Sequence, residues 1–230
     1  MRPAAAMLIG LMLVSACGRQ PARDAPRAAG GASREESRGA PEARPRVVFL
    51  GDSLTAGYGL DAEEAYPSLI QRRLREAGVD AEVVNAGVSG DTSAGGLRRV
   101  DWSLEGNAKV LVLALGGNDA LRGLSTEELR RNLSAIIERA RQRRVTVVLA
   151  GMEAPPNLGR AYTSAFRQVY RDLAAEYRVA LIPFLLEGVA GRPSLNQADL
   201  IHPNAAGARK MADLVGPYVE RALREAARDD

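Results

Sequence analysis

The chain is poor in the two residue types that most often hold transition metals: its 230 residues include one cysteine, Cys17, and one histidine, His202. A single cysteine excludes an intrachain disulfide, and beside one histidine only carboxylates remain to fill a metal shell. No metal site is expected. There is no Gly-rich phosphate loop of the P-loop type, and "GGND" at 116–119 is too short and misplaced for a dinucleotide fingerprint. No cofactor is expected either. Internal repeats are missing, and the apolar run Ala4–Val14 falls short of the roughly 20 residues of a membrane span. Positive charge is lacking where a nucleic acid would need it. The formal net charge is +3, but residues 1–46 hold eight Arg and four acidic residues, leaving 23 Lys plus Arg against 24 Asp plus Glu in the remainder. A nearly neutral body argues against a nucleic-acid partner.

What is present begins with an export signal over residues 1–16: Arg2, the apolar run, then Ser15 and Ala16 ahead of Cys17. The stretch Val14-Ser15-Ala16-Cys17 resembles a bacterial lipobox. On that reading Cys17 is lipidated and becomes the mature N-terminus, giving a periplasmic lipoprotein held to a membrane by its lipid. An ordinary signal peptide with an incidental cysteine is the alternative. Residues 18–45 carry no aromatic or large aliphatic side chain. Such a segment buries too little apolar area to offset its ordering entropy, so residues 17–45 are expected to form a flexible tether.

From residue 46 to 230 the pattern is that of one folded domain. Continuous apolar runs stand at Val47–Leu50, Val110–Leu115 and Val145–Ala150, with weaker ones at Ala81–Asn85 and Val179–Ile182. Runs that do not alternate suit parallel strands covered on both faces, and their spacing of roughly 30 residues suits strand-helix-strand units. Between them, Leu129, Leu133, Ile136, Ile137 and Ala140 form a helical stripe that Ser125 and Glu128 could open with a capping box. Met211, Val215, Tyr218 and Ala222 mark a last helix, which Pro217 is expected to kink or interrupt. The fold expected is α/β, a three-layer α/β/α sandwich with an open, mostly parallel five-stranded sheet of flavodoxin-like type.

Open sheets of this kind carry their sites outside the carboxyl ends of the strands. Ser53 follows the first strand, "NAGVSGDTSAGG" (85–96) the second, "GGNDALRG" (116–123) the third, and "NQADLIHPN" (196–204) the last. Asp199 lies three residues before His202, a spacing that in a tight turn brings the carboxylate to Nδ1 and leaves Nε2 facing outward. With Ser53 above the same edge, this makes a candidate Ser-His-Asp constellation. Donors to an oxyanion would be the Ser53 N–H, the Gly87 N–H and the Asn118 amide, although turn geometry alone also accounts for Gly87 and Asn118. Asp52, Asp91 and Asp119 read as loop-shaping carboxylates.

"GDSLTAGYG", "NAGVSGDTS", "LGGNDALRG" and "DLIHPN" resemble, in order and spacing, the four blocks of the SGNH (GDSL) hydrolases, and within them the bacterial thioesterase I, lysophospholipase L1 and arylesterase subgroup. The resemblance spans residues 46 to about 220. It implies a hydrolase of carboxylic esters and thioesters with Ser53 as nucleophile, Asp199 and His202 completing the triad, and Gly87 and Asn118 completing the oxyanion hole. The partner implied is a small-molecule ester or lipid, and a monomer is expected. An α/β-hydrolase elbow is set aside because Thr55 stands where that motif has Gly. The loop "FLLEGVAGRPSL" (184–195) is apolar enough to meet an acyl chain. A carbohydrate O-acetylesterase of the cell envelope and a non-catalytic envelope lipoprotein are the rival readings.

Overall fold

The computed structural model describes residues 44–228. The signal, Cys17 and all of the tether up to residue 43 lie outside the described residues. Five strands form one sheet: β1 (Arg46–Gly51), β2 (Glu82–Gly87), β3 (Ala108–Ala114), β4 (Thr146–Ala150) and β5 (Ala180–Ile182). Their order is β2-β1-β3-β4-β5, and every neighbouring pair is parallel. The sheet is therefore wholly parallel rather than mostly so. Five of the six residues of β1 are buried, as are six of the seven in β3, which is why both read as unbroken apolar runs. β2 stands at an edge, half-covered, and its run is correspondingly weak.

Among the described residues the α-helices are α1 (Ser53–Ala56), α2 (Tyr66–Glu76), α3 (Ser93–Ser103), α4 (Gly117–Leu121), α5 (Thr126–Gln142), α6 (Arg160–Tyr177) and α7 (Ala205–Ala226), of which α1 and α4 are single turns directly after strands. The chain runs outward from β1 to β2 through α2, then returns past β1 to β3 through α3 and continues outward in the other direction. Right-handed crossovers put the helices of these two directions on opposite faces. Accordingly α2 packs on α7, while α3, α5 and α6 pack in series. In α5 the predicted stripe is buried without exception, each Leu or Ile contributing about 1.5–3 kcal/mol. Ser125 Oγ accepts from Glu128 N at 3.2 Å, but its own hydroxyl donates to Glu127 Oε2 at 2.7 Å.

α7 runs unbroken through Pro217, so of the kink or interruption expected there the interruption does not occur. Pro217 forfeits one backbone bond, but Met211, Ala212, Val215, Val219 and Ala222 are buried along the same helix. That continuous apolar contact outweighs the loss of one bond, about 3 kcal/mol or more.

The reversal of direction between β1 and β3 leaves a crevice at their carboxyl ends, the switch point where sites form in such sheets. Ser53 follows β1 and Asn118 follows β3, so the two flank that crevice.

Candidate active site

Gly51 ends β1 where a Cβ would lie 2.0 Å from Thr55 Oγ1, so only glycine lets α1 turn back on the strand. Asp52 caps α1, its Oδ1 accepting from Leu54 N at 3.0 Å. The helix is one turn long and stops at Gly57, with φ of 76°. Ser53 is its first residue, so its N–H points out of the helix end with no carbonyl behind it. Thr55 is buried and shares a hydrogen bond of 3.0 Å with the Tyr66 hydroxyl.

His202 arrives from the segment before α7. Asn204 caps that helix, accepting from Ala206 N at 3.0 Å and Gly207 N at 3.1 Å. Gln197 N donates to His202 O at 2.7 Å, and Gln197 Nε2 donates to Pro203 O at 3.0 Å and to Tyr58 O at 2.6 Å. The loop is thereby closed on itself and tied to the segment after α1. Asp199 Oδ1 accepts from Ile201 N at 2.9 Å and His202 N at 3.0 Å, and its Oδ2 lies 2.6 Å from His202 Nδ1. His202 Nε2 lies 2.9 Å from Ser53 Oγ. An ionised carboxylate only accepts, so Nδ1 carries the ring proton and Nε2 is free to accept from the Ser53 hydroxyl. Hydrogen bonds from His202, then from the backbone of His202 and Ile201, hold Asp199 down at about 2. It is ionised throughout the physiological range. Ser53, His202 and Asp199 are thus joined in one chain across 149 residues of sequence.

Asn118, in α4, donates from Nδ2 to Asp91 O at 2.9 Å, with Asp52 Oδ2 3.4 Å away. Asp91 is paired with Arg99 at 2.7 Å, and Arg99 also donates to the carbonyls of Ala86 and Gly51. Asp119 is buried and accepts from Ser93 N at 2.8 Å and Ser93 Oγ at 2.5 Å. Asp91 and Asp119 therefore shape loops, as expected. Asp52 is buried too, and that burial pushes its carboxyl up to about 6, against the opposing pull of the Leu54 bond and the nearby His202.

Gly87 does not fit the role expected of it. It is the last residue of β2, and its N–H already donates to Asn85 Oδ1 at 3.0 Å. A Cβ there would lie 2.2 Å from Ala56 N, so this glycine admits the close approach of α1. Three residues on, Gly90 has φ of 84° and its carbonyl accepts from Arg122 at 2.8 Å. Among the described residues its N–H has no acceptor, and it immediately precedes Asp91, on which Asn118 is anchored. Sequence reasoning missed Gly90. The signal available was a second glycine in the same block, between Ser89 and Asp91.

A cleft of about 480 Å³ opens from Ser53, Asn118 and His202. Its walls are mainly apolar: Leu54, Leu121, Met152, Ala154, Pro155, Phe184, Leu186, Leu200 and Ile201. The loop after β5 contributes Phe184, Leu186, Ala190 and Gly191, while Leu185 and Val189 turn into the core instead. Beside it residues 152–156, after the neighbouring strand β4, add a further stretch of wall, a segment that carried no motif.

A Ser–His–Asp chain at the carboxyl edge of a parallel α/β/α sandwich, above an apolar cleft, defines the class of SGNH-type serine hydrolases. The model of the GDSL-like lipase/acylhydrolase family matches residues 49–210. Esterase TesA of Pseudomonas aeruginosa is 43% identical over 178 residues, covering 77% of this chain and 89% of the relative. Thioesterase 1/protease 1/lysophospholipase L1 of Escherichia coli is 38% identical over 175 residues, covering 76% and 83% respectively. A crystal structure of TesA superposes with a TM-score of 0.74 at 42% identity, covering 77% of this chain and 99% of that one. The chain belongs to the GDSL-like lipase/acylhydrolase family, and its activity is the hydrolysis of carboxylic esters.

Proposed function

We propose that the chain cleaves acyl esters and thioesters through an acyl-enzyme on Ser53. The observation that supports this best is the unbroken hydrogen-bonded chain from Asp199 through His202 to Ser53. His202 Nε2 takes the hydroxyl proton as Ser53 Oγ attacks the carbonyl carbon, and the ionised Asp199 stabilises the imidazolium that forms. The carbonyl oxygen becomes negative in the tetrahedral intermediate. Its donors are the Ser53 N–H, the Asn118 amide and, in place of Gly87, the Gly90 N–H. Collapse breaks the bond to the leaving alcohol or thiol, which receives the proton from His202. Water then repeats the sequence, with His202 again as base, and frees the acid. Asn118 Nδ2 has two protons: one stays on Asp91 O, and the one that faces Asp52 Oδ2 at 3.4 Å turns to the oxygen as its charge appears.

The apolar cleft suits an acyl chain or an aryl group rather than a sugar ring. Thioesters and lysophospholipids, which the names of relatives print, are the further substrates proposed. All of the proposed catalytic groups come from one chain, so the reaction needs no residue from a second copy; the monomer is proposed on the sequence reading. Export and a lipid anchor at Cys17 complete the reading, on the sequence pattern alone. A fluorophosphonate probe is expected to label the wild type and not Ser53→Ala, and a profile over p-nitrophenyl esters, acyl-CoAs, lysophospholipids and acetylated sugars orders the substrates. Equal labelling of both proteins would refute the nucleophile. Membrane fractionation of wild type against Cys17→Ser, with intact mass of the mature N-terminus, tests the anchor; a soluble wild type with a free thiol would refute it.

A further inference from the structure

Leu200 stands between Asp199 and His202 in a left-handed backbone conformation, φ 59°. Leucine is a poor occupant of that region, because its Cβ crowds the following carbonyl; Gly or Asn takes it at lower cost. The turn itself demands the conformation. Leu200 N donates to Gln197 O at 3.0 Å, and the chain doubles back so that Asp199 Oδ1 receives both Ile201 N and His202 N. Nor does burial explain the choice, since Leu200 is 57% exposed. Backbone and solvent therefore both disfavour leucine here. What remains is its position: the side chain lines the cleft that opens from Ser53.

Its neighbours share that arrangement. Six large apolar side chains stand exposed among the described residues, and three of them, Leu121, Leu200 and Ile201, line this one cleft. Strain retained at a turn beside reacting groups is the pattern of a residue kept for what its side chain touches.

Building on the hydrolase reading above, we infer that Leu200 is a specificity-determining residue, which grips the acyl chain of the substrate at the cleft mouth. The acyl part is the occupant because it stays bonded to Ser53 through both half-reactions, whereas the alcohol must leave after the first. Contact with Leu200 closes an otherwise open side of the apolar path and removes both surfaces from water. A short acyl group does not reach it; a longer one does.

The experiment compares wild type, Leu200→Gly, Leu200→Asn and Leu200→Met on p-nitrophenyl acetate and p-nitrophenyl octanoate, so that only the acyl part changes. The kcat/KM ratio of octanoate to acetate is expected to fall about tenfold in Leu200→Gly and Leu200→Asn, and to stay within about twofold of wild type in Leu200→Met. Melting temperatures of the Gly and Asn variants are expected at or above wild type. An equal loss on both esters would overturn the inference, because Leu200 would then act through the Asp199–His202 turn. An unchanged ratio, or a melting temperature lowered by more than about 5 °C, would overturn it too. Ser53→Ala run alongside separates the two levels: if it still hydrolyses acetate, the reading of the site itself fails, whatever Leu200 does.

Discussion

Replacing Asp199 by Asn should inactivate the enzyme while leaving its fold almost untouched, and the hydrogen bonds of the turn say why. Asp199 Oδ1 accepts from two backbone N–H groups, Ile201 and His202. An asparagine must present its one acceptor oxygen to that pair, so its NH₂ is forced toward His202 Nδ1. Nδ1 then has to accept, the ring proton moves to Nε2, and Nε2 donates to Ser53 Oγ instead of receiving its proton. The base is lost and the imidazolium loses its counter-charge together. A tautomer reversal of this kind lowers kcat by about 10⁴, which is about 5.4 kcal/mol of transition-state stabilisation. Asp199 is not on the cleft wall, so KM should change little. The assay is steady-state hydrolysis of a p-nitrophenyl ester, with melting curves on the same preparations. Asp199 is held down at about 2, so its contribution to stability is present above the ordinary carboxylate value near 4 and lost as pH falls through 2. Any gap in melting temperature between wild type and variant should therefore close over that window. A loss in kcat of less than tenfold, or one traced to KM or unfolding, would refute the reasoning.

Three further substitutions test the rest of the site. Asn118→Ala should lower kcat by about 10² or more with KM nearly unchanged, since the bond its amide makes to substrate forms only as the oxyanion develops; a rise in KM alone would make it a ground-state contact. Asp52→Asn should separate stability from activity. Burial holds this carboxyl up at about 6, so stability is full below about pH 4 and declines as pH rises through 6, by an order of 3 kcal/mol. The variant should lose that decline in melts at pH 4 and pH 8, yet lose tenfold or more in kcat, because an amide NH₂ would now face the Asn118 NH₂ across 3.4 Å; an unchanged pH dependence of melting would sink the idea. Gly87→Ala should lower the melting temperature by about 4 °C or more, since its Cβ meets the α1 backbone. Normal melting with only kcat reduced would restore Gly87 as an oxyanion donor.

Much of this protein was legible locally. The strands β1, β3 and β4 are covered on both faces, so burial alone imposes continuous apolar runs of the right length. The Asp199–His202 pair is a turn of four residues, and the i, i+3 spacing suffices to bring carboxylate to imidazole. α5 follows from its stripe and the Ser125 cap. Each of these depends on residues within a few positions of one another, which is why composition and spacing could specify them.

What the sequence left open was settled by residues far apart in the chain. Gly87 and Gly90 are equally plausible donors as letters. Only the fold-back of the Asn85 amide onto Gly87 N, together with its grip on Thr55 O at 2.9 Å, takes the first out of use. Pro217 reads as a breaker until the buried face of α7 is counted. The wall built by residues 152–156 has no motif because a surface that meets apolar substrate needs only shape. In the order β2-β1-β3-β4-β5 two strands separate β1 from β5, so it is the segment before α7, tied back to Tyr58 O by Gln197, that carries His202 to Ser53, 149 positions away. Local spacing can set two groups in one turn, but the meeting of distant groups is decided by the long-range contacts that bring one carboxyl-edge loop back onto another.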